Sequence, residues 1–134
     1  MITNGSITIY NRYLDRETRM HKYKRTVLED VYIEQGEALS ARAGSSLRPD
    51  DKAFVIIHAM NREGYVSPKE FRPHTHQDSW TLKVEDTIVL QAVEDEIESI
   101  AQLESKYDDV FKITAVGWFN AGTPRMHHWE VTAK

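Results

Sequence analysis

The chain has 134 residues, 40% of them hydrophobic and 28% charged, with a formal net charge of −4. That length favours one domain, able to bury about two thirds of its unfolded surface without a staple. The absence of cysteine excludes disulfides, thiolate metal sites and cysteine nucleophiles, and the acidic balance argues against a dedicated nucleic-acid binder, whose affinity rests on a basic surplus.

Residues 1–5 have neither the basic region nor the apolar core of a signal peptide. The longest apolar run, Ala53-Phe54-Val55-Ile56-Ile57, is far too short to span a bilayer, so a cytosolic origin and no membrane partner are expected. Ile7 and Ile9 alternate with Thr8 and Arg12, which predicts a half-buried strand over residues 6–13. Beyond the polar turn Asp15-Arg16-Glu17-Thr18, residues 23–33 read as a second strand that pairs back on the first. Glu29-Asp30 interrupts this run and marks a bulge. Residues 34–51 are small, polar and broken by Gly and Pro, the composition of a mobile loop. Residues 52–60 are the strongest strand, apolar enough for burial on both faces.

A second loop is expected over residues 61–79, with one helical turn at Ser67-Pro68-Lys69-Glu70-Phe71, where Ser67 caps and Pro68 takes the first position. Strands at 80–83 and 87–92 flank Val84-Glu85-Asp86, which lacks glycine and so predicts an ordinary turn rather than the primed type. Residues 99–107 form a short helix: Ser99 caps it, Gln102 completes a capping box, and Ile100, Leu103 and Tyr107 share one face. Residues 110–119 and 125–132 form a last hairpin. The sum is a single mainly β domain over residues 1–134, a small antiparallel barrel of about seven strands with one short α-helix.

Reactive groups are sparse. His74 and His76, with His127, His128 and Asp78, raise the idea of a metal centre with an open position. However, residues 72–78 read as loop, and adjacent His127 and His128 face opposite sides of one strand. Polar loop histidines are therefore the preferred reading. No Ser/His/acid motif, glycine-rich phosphate loop or paired-carboxylate pattern stands out. No catalytic residue, metal or cofactor is assigned, and a non-enzymatic protein is expected.

Charge is unevenly spread. Residues 12–25 are rich in Arg and Lys, and residues 94–109 in Asp and Glu. The plain reading is two solvated faces; the sharper one sets Lys22, Lys24 and Arg25 against Glu94, Glu96 and Glu98 of another copy. Trp80, Trp118, Trp129, Tyr107, Phe111 and Phe119 read chiefly as core. Trp118 and Phe119 are adjacent, so one of them points outward, and Trp118 is taken as a candidate subunit contact.

Four stretches carry a resemblance: Ile7-Thr8-Ile9-Tyr10-Asn11-Arg12-Tyr13, Tyr65-Val66-Ser67-Pro68-Lys69-Glu70-Phe71, Trp80-Thr81-Leu82-Lys83-Val84-Glu85-Asp86-Thr87-Ile88-Val89, and residues 107–131. With them the chain resembles small proteins of the head-to-tail modules of tailed phages and prophages, of the head-closure or head-completion type, although Glu85 stands where a Gly is common. The resemblance implies a virion protein, made in the host cytoplasm, that forms a ring of about twelve copies at the head–tail junction. Its partners would be copies of itself, neighbouring connector or adaptor proteins, tail proteins, and double-stranded DNA that passes without specific binding. An exposed edge of the first or last strand would add to a neighbour's sheet. Glu34, Glu37, Arg42, Gly44, Ser45, Ser46, Arg48 and Asp50 would face the channel or the next ring. A tail-terminator or tail-completion protein, or an OB-like nucleic-acid or glycan module using Lys22, Lys24 and Arg25, are the alternatives.

Overall fold

The computed structural model describes residues 3–35, 52–60, 62–73 and 78–134. Six antiparallel strands close a barrel in the order β1-β2-β3-β6-β5-β4. They are β1 Gly5–Leu14, β2 His21–Gln35, β3 Ala53–His58, β4 Thr87–Val89, β5 Val110–Phe119 and β6 His128–Ala133, with the helix α1, Ile100–Lys106, between β4 and β5. The mainly β barrel expected from the hydrophobic alternation is thus present, with one strand fewer. The loop residues Glu37, Arg42, Gly44, Ser45, Ser46, Arg48 and Asp50 lie outside the described residues.

Alternation on β1 sends Ile7 and Ile9 inward, where they meet Leu28, Val55, Ile57, Ile88, Ile113 and Val131. Each such aliphatic side chain contributes about 1.5–3 kcal/mol by leaving water. The outer face of β1 is buried as well. Tyr10 lies under α1 with Val89, Val93 and Leu103. Ile100 and Tyr107 pack against the same cluster, as their spacing predicted. Gln102 holds the helix start: its Oε1 accepts the Glu98 N–H at 2.7 Å and the Ser99 N–H at 3.4 Å.

β2 is long enough to serve two neighbours. Its first part pairs with β1 and its last four residues with β3. The switch falls at Glu29-Asp30, where the register slips and Asp30 takes φ 57°, the predicted bulge. Carbonyls freed by the bulge need donors. Arg62 supplies them, donating to Glu29 O and, at 3.1 Å, to Asp30 O, while its Nε reaches His58 O at 3.0 Å.

Three expectations about strands are corrected. Residues 80–83 make no strand; only an isolated bridge joins Tyr65 to Trp80. The reason is Asn11, buried on β1. Its Nδ2 donates to Thr81 O at 2.9 Å and its Oδ1 accepts from Thr81 N at 3.2 Å. A side-chain amide thus occupies the place a backbone ladder would fill. Asn11 Nδ2 also donates to Asp86 Oδ2 at 2.9 Å, and Asp86 Oδ1 accepts from Arg12 N. The strand expected over 87–92 stops at Val89 for a like reason: the Thr8 hydroxyl donates to Gln91 O at 2.7 Å and accepts from Val93 N at 2.8 Å. Finally, the last strand offers no edge: β6 is paired along its length by β3 and β5, so addition of a neighbour's strand there is ruled out, whereas β1 is paired on its β4 side only from Thr8 to Tyr10.

Residues 67–70 close as one hydrogen-bonded turn, Glu70 N donating to Ser67 O at 2.9 Å, instead of a helical turn. The Lys83 to Asp86 turn closes through Asp86 N and Lys83 O at 3.1 Å, with Glu85 at φ 83°. A positive φ at the third residue alone is the type II form, unprimed as expected, and it favours glycine there.

Two stability changes follow. Glu85→Gly removes the left-handed strain and raises the unfolding free energy by about 1 kcal/mol in urea titrations. Asn11→Ala strands the Thr81 amide and part of the Asp86 carboxylate, and lowers it by about 3 kcal/mol.

Candidate interaction surface

Aromatic side chains form a chain from the core to solvent. Trp80 and Trp129 are buried, with ring centroids 5.8 Å apart, and Tyr65 sits against both at 5.3 and 4.6 Å. Trp118 faces Trp129 directly across the β5–β6 ladder, its ring 4.9 Å away, and itself meets His127 at 5.9 Å. Trp80 Nε1 is satisfied by Glu63 O at 2.8 Å. Such ring pairs add about 0.5–1.5 kcal/mol each beyond area burial.

Strand alternation predicted one outward residue in the pair Trp118 and Phe119. Both are half-exposed, at 48% and 46%. Gly117 explains this: a Cβ there would lie 3.0 Å from the Phe119 ring, so the missing side chain lets Phe119 fold back over the strand and stack on His128 at 5.2 Å. The sequence signal was the glycine inside an otherwise β-branched and aromatic run.

Beside this wall lies a groove of about 560 Å³, lined by Tyr65, Pro68, Leu82, Val84, Val116 and Trp118, with Trp129 at its floor. It opens between β5 and residues 82–84, where the seventh strand had been expected. Lys83 also lines it, but its ammonium is held by Arg12 O at 2.8 Å and Asp86 at 3.7 Å. An aromatic groove whose lysine is already held by Arg12 O and Asp86 suits an apolar side chain better than an anion.

The remaining candidates are more dispersed. Glu34 is not in a loop but in β2, paired with Phe54 and accepting from the Tyr32 hydroxyl. Lys22 pairs with Asp15 at 2.9 Å, and Lys24 reaches Arg25 O at 3.3 Å. Arg25 bonds Glu96 at 3.1 Å and Val93 O at 3.1 Å within the same chain, so part of the basic–acidic complementarity is satisfied internally. Asp95 pairs with Lys106 at 2.8 Å. Glu94 and Glu98 are exposed.

His74 and His76 lie outside the described residues. His128 bonds Met126 O at 2.8 Å and Glu130 at 3.1 Å. Among the described residues no three His, Asp or Glu side chains are placed to hold a metal. A second groove, of about 530 Å³, runs between α1 and the barrel past Tyr10, Asp86 and Phe111. Its two buried titratable groups are held in structural bonds. Tyr10 donates its phenolic proton to Asp95 O at 2.7 Å, and burial pushes its pKa up to about 12. Burial likewise raises Asp86, against the opposing pull of Asn11 and Lys83. Among the described residues no helix is long and apolar enough to cross a membrane.

Residues 2–134 match the model of a family of unknown function, DUF6751, and the chain belongs to that family. No curated protein and no solved structure matches it.

The buried Tyr10 sets an alkaline signature. Between pH 10 and about 12 the unfolded chain has lost this proton and the folded chain has kept it, so stability falls as pH rises through that window. Thermal melts across it should show a steeper decline in the natural chain than in Tyr10→Phe, and the late part of the phenolate titration, to which the buried Tyr65 also contributes, should shrink in Tyr10→Phe.

Proposed function

We propose that this chain is a non-catalytic structural protein of a tailed-phage particle, a head-closure connector that joins portal-side proteins to the tail. The observation that carries this reading is a closed barrel that leaves large apolar side chains in solvent at several places, Met60 and Met126 among them. One is the Trp118 groove. Another is the β1–β2 tip, where Leu14 is 54% and Met20 66% exposed. A barrel whose six strands are paired gains little from such exposure alone, whereas a protein packed among copies buries it. Two different patches on one chain suit head-to-tail packing, which closes into rings when the rotation allows.

The overall charge of −4 agrees with a place beside passing DNA, since an acidic lining repels phosphate. In this reading Trp118 is a subunit contact, with Lys22, Lys24, Glu94 and Glu98 on the polar rim. Arg25 and Glu96, already paired, hold the barrel to its own acidic segment. The segment that includes Glu37, Arg42, Ser45 and Arg48 faces the channel or the next ring.

Mass spectrometry of purified particles is the test. The chain should be present in a few to about a dozen copies per virion, and particles made without it should appear as separate heads and tails. Complete, infective particles that lack the chain would end the proposal.

A further inference from the structure

β2 has a bare side. Residues His21 to Leu28 pair with β1, but β3 flanks only Tyr32 to Gln35, so among the described residues no strand lies beside His21 to Leu28 on the β3 side. β1 fixes which way the backbone groups there point. Arg12 N donates to Asp86 Oδ1 and Arg12 O accepts from the Lys83 ammonium, both on the β4 side, away from β2. Opposite residues of an antiparallel pair turn the same way, either both toward each other or both away. Tyr23, opposite Arg12, therefore turns its N–H and C=O away from β1, and Arg25 and Val27 follow by alternation. Lys24 Nζ covers Arg25 O at 3.3 Å. The other outward groups of these three residues have no hydrogen-bond partner among the described residues. The edge ends at Glu29-Asp30, where Arg62 takes both carbonyls. Beyond Val27 a groove of about 530 Å³, lined by Glu29, Asp30, Met60 and Arg62, leaves room for an incoming strand.

We infer that two copies of the chain join edge to edge through β2, antiparallel about a two-fold axis centred near Thr26. This register sets Arg25 of one copy opposite Val27 of the other, and in both symmetry-related pairs the residues exchange N–H and C=O. It also sets Tyr23 opposite Glu29 and Lys22 opposite Asp30. Charge selects a reversed second copy as the occupant. The strand is basic at its start, with Lys22, Lys24 and Arg25, and acidic at its bulge, with Glu29 and Asp30. Reversal brings the basic end of each copy beside the acidic end of the other, whereas a parallel copy in register would set like charges together. Lys22 and Arg25 already have carboxylate partners in Asp15 and Glu96. Lys24 is the cation that moves: it gives up Arg25 O to the partner's Val27 N–H and turns to the partner's acidic bulge. A lysine over an edge carbonyl also keeps the edge from pairing indiscriminately. The same surface serves both copies, so the contact closes as a dimer. It concerns the free chain in solution and does not rest on the connector role.

Amide exchange of the full chain at rising concentration tests the contact. In dilute solution the amides of Tyr23, Arg25 and Val27 should exchange as open edge groups, while those of Lys24 and Thr26, turned to β1, stay protected. In concentrated solution sedimentation should show a dimer and nothing larger, and exchange at Arg25 and Val27 should slow at least about tenfold. Val27→Pro removes an outward donor that β1 does not use, so this variant should keep its circular dichroism and stay monomeric. Should it fail to fold, the exchange pattern of the natural chain still decides. Four results would overturn the contact: a chain that stays monomeric when concentrated, a dimer whose Arg25 and Val27 amides exchange freely, association beyond the dimer, or a folded Val27→Pro that dimerises as before. Each of these can occur whether or not the chain is found in virions.

Discussion

The barrel depends on side chains of its first strand acting as backbone. Asn11 offers Thr81 an acceptor and a donor, as an adjacent peptide group would. Asn4, just before β1, does the same for Ile33, with Nδ2 to Ile33 O at 3.0 Å and Oδ1 to Ile33 N at 2.8 Å. The Thr8 hydroxyl satisfies Gln91 O and Val93 N. At Asn11 and Thr8 a short polar side chain removes the need for another paired strand, and at Asn4 it extends the β1 side of β2. A buried amide satisfied on both sides is worth keeping, whereas one left bare costs about 1–3 kcal/mol. β1 thus joins the core to two segments that lack regular structure, one at Thr81 and one at Gln91 to Val93.

That economy creates the candidate surface. Because residues 82–84 are fixed by Asn11, Asp86 and Lys83 instead of by pairing with β5, a gap opens between them and Val116 to Trp118. The ring contacts among Trp80, Tyr65, Trp129 and Trp118 carry the hydrophobic core out through this gap. A regular seventh strand would have sealed it. The same few polar bonds therefore account for the missing strand, the shape of the groove and the exposure of its rim.

Much of this was readable in the residues, and the failures have a common cause. Alternation in β1, the apolar run of β3, the bulge at Glu29-Asp30 and the capped helix are local patterns, and they appear where the pattern set them. Residues 80–83 and 90–92 look like strands locally. What overrides them sits 70 to 85 residues away, in Asn11 and Thr8. The one local hint is that Asn11 is a polar residue on an otherwise buried strand. The charge pattern was ambiguous in a different way: complementary runs do not say whether they meet within a chain or between chains, and Arg25 with Glu96 meets within. The groove could not be read at all, since it arises from the spacing of segments rather than from any one of them.

The placement of those polar bonds also orders events during synthesis. β1 and β2 can zip up as soon as they leave the ribosome, since their turn is short and local. Closure cannot follow until residues 81–93 have emerged to meet Asn11 and Thr8, and β6 must then arrive to bridge β3 and β5. Contacts so distant along the polypeptide make for slow maturation. Until the carboxyl-terminal strand docks, the nascent barrel is an open sheet with bare edges and three uncovered tryptophans, the stage at which a chaperone has most to protect.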